Sequence, residues 1–151
     1  MSSTLTNVLV HVVFSTKYRA PVLSEEVRAH LHAYIGGIIN GEGGTPVAIG
    51  GTADHVHVLM KIAPRTALAD MMRKIKGSSS KWMNEQAWLV GAFAWQRGYA
   101  AFSVSRSMSA HVIRYIDGQV EHHRVSPFKE ELVTLLEKHG VEYDVQYLFV
   151  D

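Results

Sequence analysis

The sequence predicts an α+β fold in which helices pack on one side of an at least partly antiparallel sheet, and three features predict it. Two pairs of short β-branched or aromatic runs are each joined by a tight Gly-containing turn, and a hairpin forces antiparallel neighbours. Four segments repeat apolar residues at helical spacing. No internal repeat or long linker divides the 151 residues, so residues 1–151 are expected to form one domain with a single sizeable core.

Residues 5–14 (LTNVLVHVVF) are apolar and β-branched and predict the first strand. Ser24 is a good N-cap, Glu25 and Glu26 suit a first turn, and Val27, Leu31, Tyr34, Ile35 and Ile38 form a stripe ending at Asn40-Gly41. Residues 45–50 and 55–62 predict a hairpin turning at Gly51-Thr52-Ala53-Asp54, closed by Pro64. Thr66 is a candidate cap for a second helix carrying Leu68, Met72, Ile75 and Trp82, which Gly77 and three serines should weaken in its middle. Residues 93–95 and 99–104 read as a second hairpin turning at Arg97-Gly98. A third helix is expected over residues 107–123. A last helix has Ser126 as cap, Pro127 at its first position, Phe128, Leu132, Leu135 and Leu136 on one face, and Gly140 as its stop.

Composition narrows the function. Hydrophobic residues make up 47% and charged residues 19%, which excludes a disordered or low-complexity chain. The absence of cysteine removes disulfides, thiolate metal sites and cysteine nucleophiles, so a metal would fall to His, Asn, Gln, Asp or Glu. No apolar run approaches the ~20 residues of a membrane helix, and the N-terminus lacks a basic region before an apolar stretch. A soluble, cytoplasmic protein is the expectation. The net charge of +1 hides an asymmetry: between residues 61 and 81, Lys61, Arg65, Arg73, Lys74, Lys76 and Lys81 face Asp70 alone. Such an excess suits a phosphate backbone or the wet face of a helix.

His55-Val56-His57 falls on a predicted strand, where alternation projects both imidazoles from one face as a two-point metal site. Alone the pattern is weak, because nine histidines generate about half a His-x-His pair by chance, and satisfied core histidines would look the same. Tyr115 and Gln119, four apart on the third helix, stack on one face, and His111 and His122 extend the stripe. A buried face of that composition would need a partner for each polar group, so it lines a site more readily than a core. His122-His123 also fits a cation pair at a helix C-terminus.

In their order along the chain, HVVFSTKYRAPVL (11–23), GGTADHVHVLMKI (50–62), KGSSSKW (76–82), FAWQRGYAAFSVS (93–105), YIDGQVEHHR (115–124) and FKEEL (128–132) resemble the single-tyrosine HUH transposases of small insertion sequences and their REP-associated relatives. The resemblance covers most of the chain. It implies a ferredoxin-like antiparallel sheet and a dimeric nuclease-ligase acting on single-stranded, hairpin-bearing DNA. It further implies His55 and His57 as paired metal ligands, Gln119 as the third, Tyr115 as the nucleophile, and Mg²⁺ or Mn²⁺ as the ion. A REP-associated hairpin-processing nuclease and a non-catalytic nucleic-acid-binding module are the alternatives.

The residue types fit that chemistry. A phosphodiester repels nucleophiles, so a cation on its oxygens lowers the barrier. A tyrosine hydroxyl, with a reference pKa of about 10, needs the cation's field or a base, and His111 is one candidate base by spacing. No carboxylate stands at a spacing that marks it as a general base. Attack by Tyr115 would give a 5′-phosphotyrosine and a free 3′ hydroxyl, retaining the bond energy for rejoining. Lys17, Arg19, Arg73, Lys74, Lys76, Ser79, Lys81, Arg106 and Arg114 are the candidate DNA contacts, and Trp82, Trp88, Trp95 and Tyr99 are core or stacking residues.

Overall fold

In the computed structural model, which describes residues 3–124 and 126–148, strand β1 (Val8–Ser15) runs through the middle of a four-stranded antiparallel sheet. The order along the chain is β1, α1 (Glu25–Gly41), β2 (Thr45–Gly51), β3 (His55–Ile62), α2 (Leu68–Glu85), β4 (Ala100–Val104), α3 (Ser109–Asp117), α4 (Gln119–His122), α5 (Phe128–Lys138) and α6 (Val145–Leu148). The sheet order β2-β3-β1-β4 with α1 and α2 on one face is the ferredoxin-like arrangement. Among the described residues no helix is long and apolar enough to cross a membrane.

Strand alternation divides the molecule into two layers. Val10, Val12 and Phe14 of β1 and Val56, Val58 and Met60 of β3 face α1 and α2, meeting Leu31, Ile35, Ile39, Met71, Met72 and Ile75 in the main core. A fully buried Leu or Ile of this kind contributes ~1.5–3 kcal/mol. The opposite face carries Leu9, His11 and Val13 of β1 with His55, His57 and Leu59 of β3, covered by α3 to α5. There the apolar packing splits into two clusters: Ile116 of α3 with Leu9, Ala48 and Leu59, and Phe128, Leu132, Leu135 and Leu136 of α5 with Val13 and Phe102. The polar residues lie between them.

Several local expectations hold. Ser24 caps α1, accepting from the Val27 amide at 3.4 Å, β3 spans the residues expected, and Gly140, with φ +67°, follows the end of α5, although the short helix α6 after it was not expected. Others give way to tertiary contacts. The second hairpin does not form: only Ala100–Val104 is a strand there, pairing with β1, while Trp95 bridges Thr16. Asn84 of α2 captures both backbone groups of Phe93, at 2.7 Å and 3.0 Å. The Gln96 amide bonds the Ser15 carbonyl at 2.9 Å, so the segment pairs with β1 and α2 instead of folding back. Helix α2 runs unbroken through Gly77, and its N-cap is Ala67, with no side-chain cap from Thr66. The third helix is not continuous: a 3₁₀ turn (Arg106–Met108) precedes α3, and Gly118 separates α3 from α4. Pro127, not Ser126, is the N-cap of α5, without a side-chain bond.

Candidate active site

Glycine at position 50 sets the position of α3. A Cβ there would stand 2.4 Å from the Ile116 carbonyl, so only glycine lets the backbone of α3 lie against β2 beside His57, the cross-strand partner of Gly50. That contact aims Tyr115 along the sheet face. The break at Gly118 then turns Gln119 inward, where it is buried.

His55 and His57 are both fully buried, and their Nε2 atoms converge. His55 Nε2 is 2.9 Å from Gln119 Oε1 and 3.3 Å from Glu131 Oε1. His57 Nε2 is 3.0 Å from the same Glu131 oxygen. The other carboxylate oxygen, Oε2, accepts the Tyr115 hydroxyl in a short hydrogen bond and the Gln119 Nε2–H at 2.9 Å. One carboxylate therefore joins the imidazole pair to the phenol. The outer ring nitrogens are fixed too: His55 Nδ1 lies 2.7 Å from Asp54 Oδ1 and 3.0 Å from Thr52 Oγ1, and His57 Nδ1 lies 2.8 Å from His11 Nε2. Such outer bonds set tautomer and ring orientation in metal sites.

The donor set fits a hard or borderline divalent cation. Ligand atoms ~2.1 Å from an octahedral ion stand about 3.0 Å from their neighbours, close to the 2.9, 3.0 and 3.3 Å separations found. His55, His57 and Glu131 are together a buried metal-ligating group, and His122, His123 and Glu131 form a second. His123 Nε2 is buried and lies 3.1 Å from Glu131 Oε1, out of hydrogen-bonding alignment. A charge on Glu131 buried at this depth requires such partners.

Protonation follows the same contacts. Burial pushes His55 down, but Asp54, Glu131 and Gln119 outweigh it and raise its pKa to about 9. His57 is lowered, by burial first, and His11 falls to about 3 through burial and the neighbouring His57. For Glu131, burial is outweighed by His123, His55 and His57, which hold it as a carboxylate far below the usual range. Burial and the Glu131 charge together raise Tyr115 well above an ordinary phenol. The hydroxyl is therefore held in its protonated form.

The four residues singled out by spacing, His55, His57, Tyr115 and Gln119, are brought together. Glu131 was not singled out. Its signal is a charge within an apolar stripe: Phe128, Glu131, Leu132, Leu135 and Leu136 share one face of α5, and all five are buried. Glu131, rather than the exposed His111, receives the Tyr115 hydroxyl bond. Among the candidate DNA contacts, Ser79 is corrected: it is fully buried and accepts the Trp95 Nε1–H at 3.0 Å. Lys76 spends its ammonium on the carbonyls of Gln96 at 2.7 Å and Gly98 at 2.5 Å, closing the 94–98 segment. Arg73 and Lys74 remain largely exposed, beside Asp70 and Glu42 respectively. Lys17, Lys81, Arg106 and Arg114 are exposed and Arg19 is half-buried. Trp95 is core, whereas Trp88 and Tyr99 are partly exposed.

Comparison with known proteins bears on what this arrangement serves. The ISDra2 transposase TnpA of Deinococcus radiodurans is 29% identical over 116 residues, covering 72% of this chain and 81% of that protein. The transposase for insertion sequence element IS200 of Salmonella typhimurium is 27% identical over 126 residues, 80% of this chain and 82% of that one. A crystal structure of a transposase candidate from Deinococcus radiodurans superposes with a TM-score of 0.62 at 28% identity, covering 79% of this chain and 95% of that chain. A REP-associated tyrosine transposase bound to a REP hairpin shares the fold, with a TM-score of 0.60 at 16% identity over 96% of this chain and 93% of that chain. The family model for IS200-like transposases matches residues 4–119, a span that takes in both histidines, the tyrosine and the glutamine and stops before Glu131. With most of its length matched, and with the imidazole pair and phenol converging on one face of the sheet, this chain belongs to the IS200-like transposase family.

Proposed function

We propose that the chain cuts single-stranded DNA beside a hairpin by attack of the Tyr115 hydroxyl on the scissile phosphate, and rejoins ends by the reverse step. One observation carries the reading: a single carboxylate, Glu131, binds the Tyr115 hydroxyl through Oε2 and faces the His55 and His57 imidazoles through Oε1. His55, His57, Gln119 and Glu131 are the residues that would hold a divalent cation, Mg²⁺ or Mn²⁺, with Mn²⁺ the easier match to two imidazoles. When bound, that cation supplies Lewis-acid stabilisation of the charge that builds on the phosphate.

The chain's own groups carry the rest. Glu131 Oε2 takes the phenolic proton as the Tyr115 oxygen bonds to phosphorus; the bond to the 3′ oxygen breaks, and that oxygen leaves with the electron pair and is protonated by water. One phosphodiester is exchanged for another, so the reverse attack by a 3′ hydroxyl needs no energy source. Gln119 Nε2 holds the same carboxylate oxygen, and Asp54 and His11 fix the two ligand rings.

Charge is distributed for a DNA that spans the fold. Arg106 and Arg114 lie just before and within the helix of Tyr115, where the cut strand must pass. Arg73, Lys74 and Lys81 sit on α2 over the opposite face, suiting phosphates of a hairpin stem, with Lys17 and Arg19 beyond the end of β1. Among the described residues β4 pairs with β1 on one side only, leaving an edge for a second copy of the chain, which is our reading of the functional unit as a homodimer.

The test uses hairpin-bearing single-stranded DNA taken from the sequence flanking the gene, with Mg²⁺ or Mn²⁺. Wild-type protein should cut it, and Tyr115→Phe should lose cutting by at least a thousandfold while retaining DNA binding within a fewfold. Equal cutting by Tyr115→Phe would overturn the assignment.

A further inference from the structure

Resting on that reading, we propose that a groove beside Tyr115 is a nucleoside subsite for the nucleotide immediately 3′ of the cut, the one whose 5′ phosphate passes to the tyrosine. The groove, of about 220 Å³, runs between the end of β4, α3 and the C-terminal half of α5, and Tyr115 and His11 form its inner end. That volume falls below the ~300–1,000 Å³ of pockets for drug-sized ligands and suits one ring system rather than a length of strand.

Its walls have the chemistry of a base slot. Met108, Val112 and Leu135 supply apolar surface, with Met108 46% exposed at the mouth. Among the described residues, every ionisable side chain on the wall other than Tyr115 itself is a base, namely His11, His111, Lys138 and His139, with no carboxylate among them. A nucleotide would therefore meet apolar faces for its base and cationic or neutral groups for its phosphate. His139 is already fixed: its ring stacks on Phe102 at 4.3 Å, and its Nδ1–H donates to the Leu135 carbonyl at 2.8 Å.

The choice of nucleotide follows from the displacement. The attacking and leaving oxygens stand roughly in line across phosphorus, so the nucleoside on the 3′ oxygen departs on the side away from Tyr115. The nucleoside on the 5′ oxygen stays bound through the tyrosyl phosphate, and the space next to the tyrosine on its own helix is this groove.

The test reads binding without cutting. Full-length protein carrying ¹³C-methyl methionine, with Mg²⁺, is titrated with each of the four 2′-deoxynucleoside 5′-monophosphates and with 2-deoxyribose 5-phosphate. The Met108 methyl, assigned through Met108→Leu, should shift saturably with at least one nucleotide and not with the sugar phosphate, while the core methyls of Met60 and Met71 stay in place. Val112→Trp should weaken that binding at least tenfold, and His111→Trp, at an exposed position of the groove wall on α3, replaces it if the core methyl pattern reports a disturbed fold. Lys138→Ala should weaken it severalfold. A Met108 methyl silent to all four nucleotides, equally shifted by the sugar phosphate, or still shifting in a folded groove-filled variant would overturn the subsite. Because no bond is cut, a silent Met108 leaves the phosphotyrosine chemistry standing, and loss of DNA cutting leaves this binding measurable.

Discussion

Glu131 is the residue on which the site turns. Among the described residues six side chains approach its carboxylate: Tyr115, Gln119, His55, His57, His122 and His123. Replacing it by the isosteric glutamine keeps the volume and removes both the charge and the proton acceptor. Glu131→Gln should slow DNA cutting by about 10²–10⁴-fold, the usual worth of a positioned base, and the His55 pKa should fall from about 9 towards 6.5, followed by ring-proton NMR. An unchanged cutting rate would remove Glu131 from the mechanism. His55 and His57 were legible as a pair because strand alternation projects both from one face, whereas Tyr115 and Gln119 were picked out by a helical spacing that Gly118 interrupts; the roles of all four came from the family resemblance. Glu131 was not, since its relation to them is set by where α5 docks, and single residues inside an apolar stripe do not announce their partners. The contacts of Ser79 and Lys76 were hidden for the same reason: hydroxyls and ammonium groups at helical positions look solvated until a neighbouring segment, here residues 93–98, arrives to bond them.

The elements show which sequence signals survive packing. Strand β3 and helix α1 followed from periodicity and capping, signals carried within the element itself. The expected second hairpin failed because the backbone groups of Phe93 and Gln96 found partners on α2 and β1, contacts made outside the run itself. Gly77 and the serines did not break α2, since Met71, Met72, Ile75 and Met83 anchor it from both sides and a single glycine costs only ~1 kcal/mol. Gly118 did interrupt the third helix, and that break is what buries Gln119. The contact of α3 with β2 yields a test at this scale. In Gly50→Ala the new methyl collides with the Ile116 carbonyl, which neither backbone can relieve without moving α3. It should destabilise by about 1–3 kcal/mol in urea unfolding and reduce DNA cutting more than DNA binding, because Tyr115 rides on the displaced helix. Wild-type activity in that variant would show that α3 is not positioned through Gly50.

Across the whole molecule, one sheet face builds the core with α1 and α2 and the other is given over to chemistry, its packing divided into two smaller clusters around buried ionisable groups. Their opposed shifts predict how the metal-free protein responds to pH. His55 has a folded pKa raised to about 9, so its contribution is complete below about pH 6.5 and is lost as pH rises through 9. His11, lowered to about 3, contributes fully above about pH 6.5 and loses that contribution as pH falls towards 3. Urea midpoints measured from pH 4 to pH 10 without metal should peak between pH 6 and 7, and saturating Mn²⁺ should flatten the alkaline limb, because ligation replaces the proton on His55. A midpoint still climbing past pH 9 without metal would contradict the charged His55.

The most direct measurement is peptide mapping by mass spectrometry of wild-type protein incubated with cognate hairpin-bearing single-stranded DNA and Mn²⁺. The account predicts a nucleotide joined through its 5′ phosphate to the peptide containing Tyr115, with a free 3′ hydroxyl on the released strand. DNA cut with no covalent protein intermediate, or with the nucleotide on any other residue, would contradict it.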